Sequence, residues 1–402
     1  MADVARYASG PGVRTALNAR RARHVRSAPR TKLDVWPRRT WLRWVVRLAF
    51  TAPGIALAVI SSPTATAIAT PNQALLDHLA DIPWDRADAI WLGEIYPPIS
   101  TLLAAAVAPF GGRLALGILG AVVAGIFIQK LVEIMIQRDF SLALTVTLTL
   151  ALTANPLFMY TVTENFAATL GLAFFGLAVT DVVRFVAWRD TRAGFRAGLF
   201  LMLATLSDLT AIAYVLPLAL AAPFLRLGRH GQRGARWANV LVIVYPTLAA
   251  IAAMLLLTWA FSGNPIGTLG EQLSSGYAER FATLGPLFTT PTGWLLAAPV
   301  LSAWLVALIV RRPGSILVST IVFVAILAAY VGGLLPSGSA GNTFILMTMM
   351  AIALVPRPKT RIVFAALDGV ALLQLAIAWL AAADRAIVVE WMRALASGLG
   401  LA

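Results

Sequence analysis

The chain has no cysteine, only three histidines, and charged side chains at just 12% of its 402 positions. The missing cysteine excludes disulfides, thiolate metal sites and cysteine nucleophiles together. The scarcity of charge argues against a soluble globular protein, which needs far more of it to cover its surface. What is present is apolar: 59% of the residues are hydrophobic, and the mean hydropathy is +0.80. Such a composition describes a chain whose solvent is mostly lipid.

Basic residues outnumber acidic ones, 32 to 18, for a net charge of +14. About a third of the Lys and Arg residues fall between Arg6 and Arg47, and most others occupy short loops. That arm lacks interleaved aromatics, so it reads as a disordered segment lying on an anionic membrane leaflet rather than as a nucleic-acid binder.

The first apolar span, about 44–61, follows the basic arm, which places the arm in the cytoplasm. The run 97–110 is short and begins with two prolines. Read as a crossing, it would put every later arginine cluster on the wrong side, so it reads as a shallow helix of the first external loop. Spans then follow at about 114–136, 140–155, 166–185, a tight pair on either side of Ser207-Asp208, and 238–261. The rest lie at 292–310, 314–332, 343–355 and 362–382. The sum is an all-α polytopic membrane protein with about eleven transmembrane helices. Interfacial helices occupy its long first external loop. The expected location is the cytoplasmic (inner) membrane, with the N terminus inside.

The external side collects the irregular chain: loop 62–113, the turn near Asn155-Pro156, the Ser207-Asp208 bend, loop 262–291 and turn 333–342. Loops of this length are often functional. Loop 62–113 also holds Asp77, His78, Asp81, Asp85, Asp88 and Glu94 before it enters Tyr96-Pro97-Pro98. No fixed-period repeat and no inverted pair of broken helices of the transporter kind is visible.

The order of cytoplasmic arm, single span, acidic external loop and Tyr-Pro-Pro entering a helix resembles the GT-C superfamily of membrane glycosyltransferases. It is most similar to the polyprenyl-phosphomannose-dependent mannosyltransferases of actinobacterial envelopes. The residues that carry the likeness are Glu94-Ile-Tyr-Pro-Pro-Ile-Ser-Thr, Asn155-Pro-Leu-Phe with Thr163-Glu164-Asn165, and Leu206-Ser-Asp-Leu-Thr through Pro217. Family members usually set the key aspartate soon after the first span in an Asp-x-x-x-Tyr context. Here Asp77 and Asp81 occupy that zone without the tyrosine. The resemblance implies an arm at 1–43, a catalytic transmembrane module at 44–226 with external loop 62–113, and a variable transmembrane module at 227–402 with external loop 262–291.

It also implies transfer of a sugar, mannose favoured, from a polyprenyl-phosphate donor to a lipid or glycan acceptor on the external face. Direct displacement needs a carboxylate base on the acceptor side and positive charge, or a divalent metal, to steady the departing phosphate. Asp85 and Asp88, at i and i+3, would share one face of a helix. They are the first candidates for the base, with Asp81 third; Glu94, set between apolar Trp91-Leu92 and Tyr96-Pro97, is a fourth. The plain alternative for each is a solvated loop face. Asp77-His78 falls short of the three or more ligands a metal site needs.

Glu164 and Asp208 stand at the external ends of spans in uncharged stretches, where helix capping and substrate binding compete as explanations. Arg280 is the candidate grip on the lipid phosphate, against pairing with Glu279 or Glu271; Arg86, Arg113, Arg385 and Arg393 are the other external cations. Trp84, Trp91 and Tyr96 suit an interfacial belt, and Trp84 or Trp91 could stack on a sugar ring. Membrane lipids are the expected surroundings, envelope-assembly proteins are conceivable partners, and nucleic acid is excluded. Two other functions stay open: a non-catalytic scaffold of the same fold, and a lipid-linked-sugar flippase or transporter.

Overall fold

The computed structural model describes residues 35–61, 69–85, 94–188, 190–226, 235–263, 276–336, 340–354 and 360–398. Among them every regular element is helical, as a chain in lipid requires when it must satisfy its own backbone. The chain runs through α1 (Thr40–Ser61), α2 (Pro71–Asp81), α3 (Pro98–Val107) and α4 (Gly112–Gln137). It continues through α5 (Leu142–Thr153), α6 (Pro156–Glu164), α7 (Phe166–Trp188), α8 (Thr191–Ser207) and α9 (Ile212–Ala221). The second half holds α10 (Ala235–Ser262), α11 (Tyr277–Leu287), α12 (Pro291–Ile309), α13 (Pro313–Val331), α14 (Ala340–Leu354), α15 (Arg361–Ala382) and α16 (Ala386–Gly398).

Six helices are long and apolar enough to cross a membrane: α1, α4, α7, α10, α13 and α15. The pair α5 and α6, bent by 55°, makes a seventh if taken as one broken span. The chain is therefore an α-helical multi-pass membrane protein. Each of the eleven expected spans coincides with a helix. Several are shorter than the hydrocarbon is thick: α5 has 12 residues, α9 has 10 and α14 has 15. A 12-residue helix reaches only about 18 Å, against roughly 30 Å of hydrocarbon. The expected shallow helix at 97–110 is present as α3 and the 3-10 turn Ala108–Phe110. It buries Ser100, Thr101 and Ala104 against its neighbours.

Helix α7 forms the axis of the bundle, with 83% of its apolar window buried, against 22% for α1, α10 and α15. The outer helices show large apolar side chains such as Leu241, Tyr245 and Trp259 on their free faces, as lipid-facing surfaces do. Close approach depends on missing side chains. A Cβ at Gly54 would meet that of Ala121 at 2.8 Å, fixing α1 on α4. One at Gly120 would overlap the Val162 carbonyl, and one at Gly117 would lie 2.9 Å from the Thr163 carbonyl. The smooth side of α4 is thus the bed on which the short helix α6 rests.

Candidate functional site

The site is built on two breaks in the helices. At the first, Asn155 accepts hydrogen bonds from the N–H groups of Leu157 (2.9 Å) and Phe158 (3.4 Å), with Pro156 at the first helical position. Such a cap with proline behind it starts a helix independently of what precedes it. Asn165 ends α6 and caps α7 through Ala168 N–H (3.1 Å). Asn72, fully buried on α2, bridges this junction: its amide donates to the Thr163 carbonyl (2.9 Å) and its oxygen accepts from Phe166 N–H (2.8 Å). Backbone groups freed by the break are therefore met by side chains, which is what tolerates broken helices in lipid.

The second break is at Asp208, between α8 and the 3-10 turn Leu209–Ala211. Its Oδ1 accepts from Thr210 N–H (2.9 Å) and its Oδ2 from the Thr210 hydroxyl (2.8 Å). The expected capping role is thus real. It does not exhaust the carboxylate, since each oxygen retains a second lone pair. Burial pushes the Asp208 carboxyl above the usual carboxylate range, and the two bonds from Thr210 only partly offset this.

Between these breaks lies a cavity of about 380 Å³, within the size range of small-molecule sites. Among the described residues Asp208 is the one carboxylate in its wall, facing it together with Tyr160, Asn165, Tyr214, Asn342 and Arg385. Tyr214 is held edge-on to Phe175, with ring centroids 4.9 Å apart. Its buried hydroxyl has no hydrogen-bond partner. The Tyr214 hydroxyl and Asp208 Oδ2 both close on Gly171, where a Cβ would lie 3.3 and 3.6 Å from them and 3.0 Å from the Asp208 Cβ. A ligand hydroxyl reaching both residues from the cavity could donate to Asp208 and accept from Tyr214. Across the cavity Thr161 donates to Asn342 (3.0 Å), and the Arg385 guanidinium lies over the Tyr160 ring at 5.8 Å. Among the described residues no carboxylate pairs with Arg385.

The other expected residues are distributed differently. Asp81, Asp85 and Glu94 are exposed and lie outside the cavity wall. Asp85 sits in a turn beyond the end of α2, and Asp88 and Trp91 lie outside the described residues, so the shared helical face has no counterpart here. Tyr96 donates to the Thr205 carbonyl (2.9 Å) and ties the entry of α3 to α8; burial, then Asp208, raises its hydroxyl pKa.

Glu164 closes α6 rather than opening α7, which corrects the expectation of an N-terminal cap. It is buried against Arg113 at 2.8 Å. Arg280, the candidate grip on the lipid phosphate, donates to the carbonyls of Tyr330 (3.1 Å) and Leu335 (2.8 Å) at the end of α13, and among the described residues the alternative pairing with Glu279 is not formed. Glu271, the other expected partner, lies outside the described residues. Asp77 accepts from Gln73 (2.8 Å), and His78 meets the Glu94 carbonyl at 3.1 Å. Among the described residues no three His, Cys, Asp or Glu side chains are placed to hold a metal.

Sequence reasoning counted Arg385 among the external cations and quoted Asn165 in a motif without assigning either, and missed Tyr160, Tyr214 and Asn342. The available signal was polarity at helix ends: Asn165 and Asn342 interrupt apolar runs, as Asp208 does. Compared with protein-family models, curated proteins and solved structures, the chain has no match in any of the three.

Proposed function

We propose that the chain is a glycosyltransferase of the cell envelope, transferring a sugar from a polyprenyl-phosphate donor to a lipid or glycan hydroxyl. The observation that carries this reading is the cavity that holds, among the described residues, one buried carboxylate, Asp208, and one cation without an acidic partner, Arg385. The proposed topology has eleven crossings, by α1, α4, α5, α7, α8, α9, α10, α12, α13, α14 and α15, with α5 completed by the bent α6. The N-terminal arm and the later arginine clusters are then cytoplasmic, and the cavity opens toward the outer face of the cytoplasmic membrane. Short helices are accommodated because their neighbours, rather than lipid, surround their ends.

In the proposed reaction an acceptor hydroxyl lies between Asp208 and Tyr214. Asp208 takes its proton as the oxygen attacks the anomeric carbon, and the bond from that carbon to the donor phosphate breaks with inversion. The leaving polyprenyl phosphate carries the bonding electrons away as an anion, and the Arg385 guanidinium steadies it with parallel hydrogen bonds. A raised carboxyl pKa suits the base, since it binds the transferred proton more firmly than an ordinary aspartate. The cavity offers a single carboxylate, so no step is assigned to a divalent metal.

The test is sugar transfer by the purified, reconstituted chain from radiolabelled polyprenyl-phosphomannose, and then from other polyprenyl-linked sugars, to an envelope lipid extract. Transfer that depends on Asp208 and Arg385 supports the reading. Absence of transfer from every donor by well-folded protein overturns it in favour of a scaffold.

A further inference from the structure

The opposite end of the bundle carries a second concentration of buried charge, of the other sign. Arg138 follows α4, Arg184 and Asp181 lie in the last turns of α7, Arg196 is on α8, and Arg312 precedes α13. Arg196 grips Asp181 with two hydrogen bonds, Nε to Oδ2 at 3.1 Å and Nη2 to Oδ1 at 3.0 Å. Arg184 reaches the same carboxylate at 3.4 Å and donates to Gln137 at 2.7 Å. Arg138 donates through Nη1 to the Ala353 carbonyl at the end of α14 (2.8 Å).

These bonds leave the cluster unbalanced in two ways. Asp181 is one negative charge facing the three guanidinium groups of Arg138, Arg184 and Arg196. In addition, Arg138 Nε and Nη2 and Arg184 Nε are buried with no hydrogen-bond partner among the described residues, on side chains only 9% and 8% exposed. Burial, and then the charges of Arg184 and Arg312, pull the Arg138 guanidinium down to about 10. It remains charged at neutral pH. A buried cation with unused donors is costly unless an anion meets it.

We infer that this arginine cluster is a binding site for a phosphate group, carried by an anionic lipid headgroup or present as a free phosphate. The donors fit the chemistry. Two unused N–H positions on one planar guanidinium, with a third on its neighbour, match the several acceptor oxygens of a phosphate better than any single carbonyl. Access is available on the side of Arg196, whose side chain is half exposed. Its neighbour Phe195 is also exposed, as is Trp237 at the start of the adjacent α10. Exposed aromatics beside a basic pocket mark the headgroup level, where such pockets bind anionic lipids. The site is separate from the cavity and does not depend on the transferase reading.

The experiment uses the purified full-length chain in neutral detergent, delipidated and titrated with phosphatidylglycerol, phosphatidylcholine or inorganic phosphate. Adducts are followed by native mass spectrometry and stability by thermal unfolding. Retention of phosphatidylglycerol at least about tenfold better than phosphatidylcholine is expected, with a rise in melting temperature. Arg138→Gln and Arg184→Gln should each remove most of that preference, and Arg138→Lys should recover part of it. A melting-temperature rise with inorganic phosphate alone would assign the site to free phosphate; a rise with the lipid alone would assign it to the headgroup. Equal retention of both lipids with no response to phosphate would overturn the inference. So would a preference that survives both glutamine variants. Should Arg138→Gln fail to fold, the wild-type selectivity and Arg184→Gln still decide.

Discussion

The two ends of the bundle bury charge by opposite means. At the cavity end one carboxylate, Asp208, is kept by the hydroxyl and N–H of Thr210, with no cation bonded to it. At the arginine end several guanidinium groups crowd around Asp181, and some of their donors are left over. A carboxylate held only by neutral donors keeps its charge uncompensated and open to a ligand, whereas one clamped by arginines has its charge and acceptor positions taken up. Glu164 makes the same point within the cavity end. It lies near the cavity yet is held by Arg113, so it serves as a strut and leaves Asp208 as the free acid.

That contrast can be broken deliberately. Asp208→Asn keeps an acceptor for Thr210 N–H but removes the base, and should lower sugar transfer about 10²–10⁴-fold with little change in melting temperature. Glu164→Leu should do the reverse: breaking its buried ion pair with Arg113 costs about 3–5 kcal/mol of stability, read as early unfolding. Tyr214→Phe removes a hydroxyl that has no hydrogen-bond partner among the described residues. Transfer should fall up to about tenfold as a hydrogen bond to the acceptor is lost, while the melting temperature holds or rises. At the bottom of the scale, Asp81→Asn, Asp85→Asn and Glu94→Gln should each stay within about twofold of the parent, as exposed substitutions do.

The pH dependence sharpens the same comparison. Because the folded Asp208 pKa is raised, protonation should silence transfer at a higher pH than an ordinary carboxylate would. The stability linkage has the matching sign. The contribution of Asp208 is complete below the ordinary carboxylate pKa and is lost as pH rises through the raised value. A rate profile and a melting profile on the same preparation check both.

Much of the fold was legible because lipid imposes simple rules. Apolar length placed the helices, and the prolines at 97 and 98 marked the start of a short one. Asn155-Pro156 and Ser207-Asp208 were readable as breaks for the same reason: each joins a capping side chain to an interruption of apolar sequence. The site was only half legible. Density of charge in the first loop pointed to Asp85 and Asp88, but density of charge in a loop tracks exposure to water. The carboxylate proposed here as the base is instead a single residue isolated among apolar neighbours, where burial makes it costly and therefore conspicuous. What the sequence could not supply is pairing across distance. Nothing local tells that Arg385 stands over Tyr160, that Arg113 takes Glu164, or that Arg280 is occupied by the carbonyls at the end of α13.

The most direct test of the cavity as the working site is one side-by-side assay. Wild type, Asp208→Asn and Asp85→Asn, reconstituted at equal amounts and with matched melting temperatures, are supplied with radiolabelled polyprenyl-phosphomannose and acceptor extract. Loss of transfer in Asp208→Asn, with Asp85→Asn unaffected, is the expected result. Full transfer by Asp208→Asn, with loss in Asp85→Asn, would contradict it and return the base to the first loop.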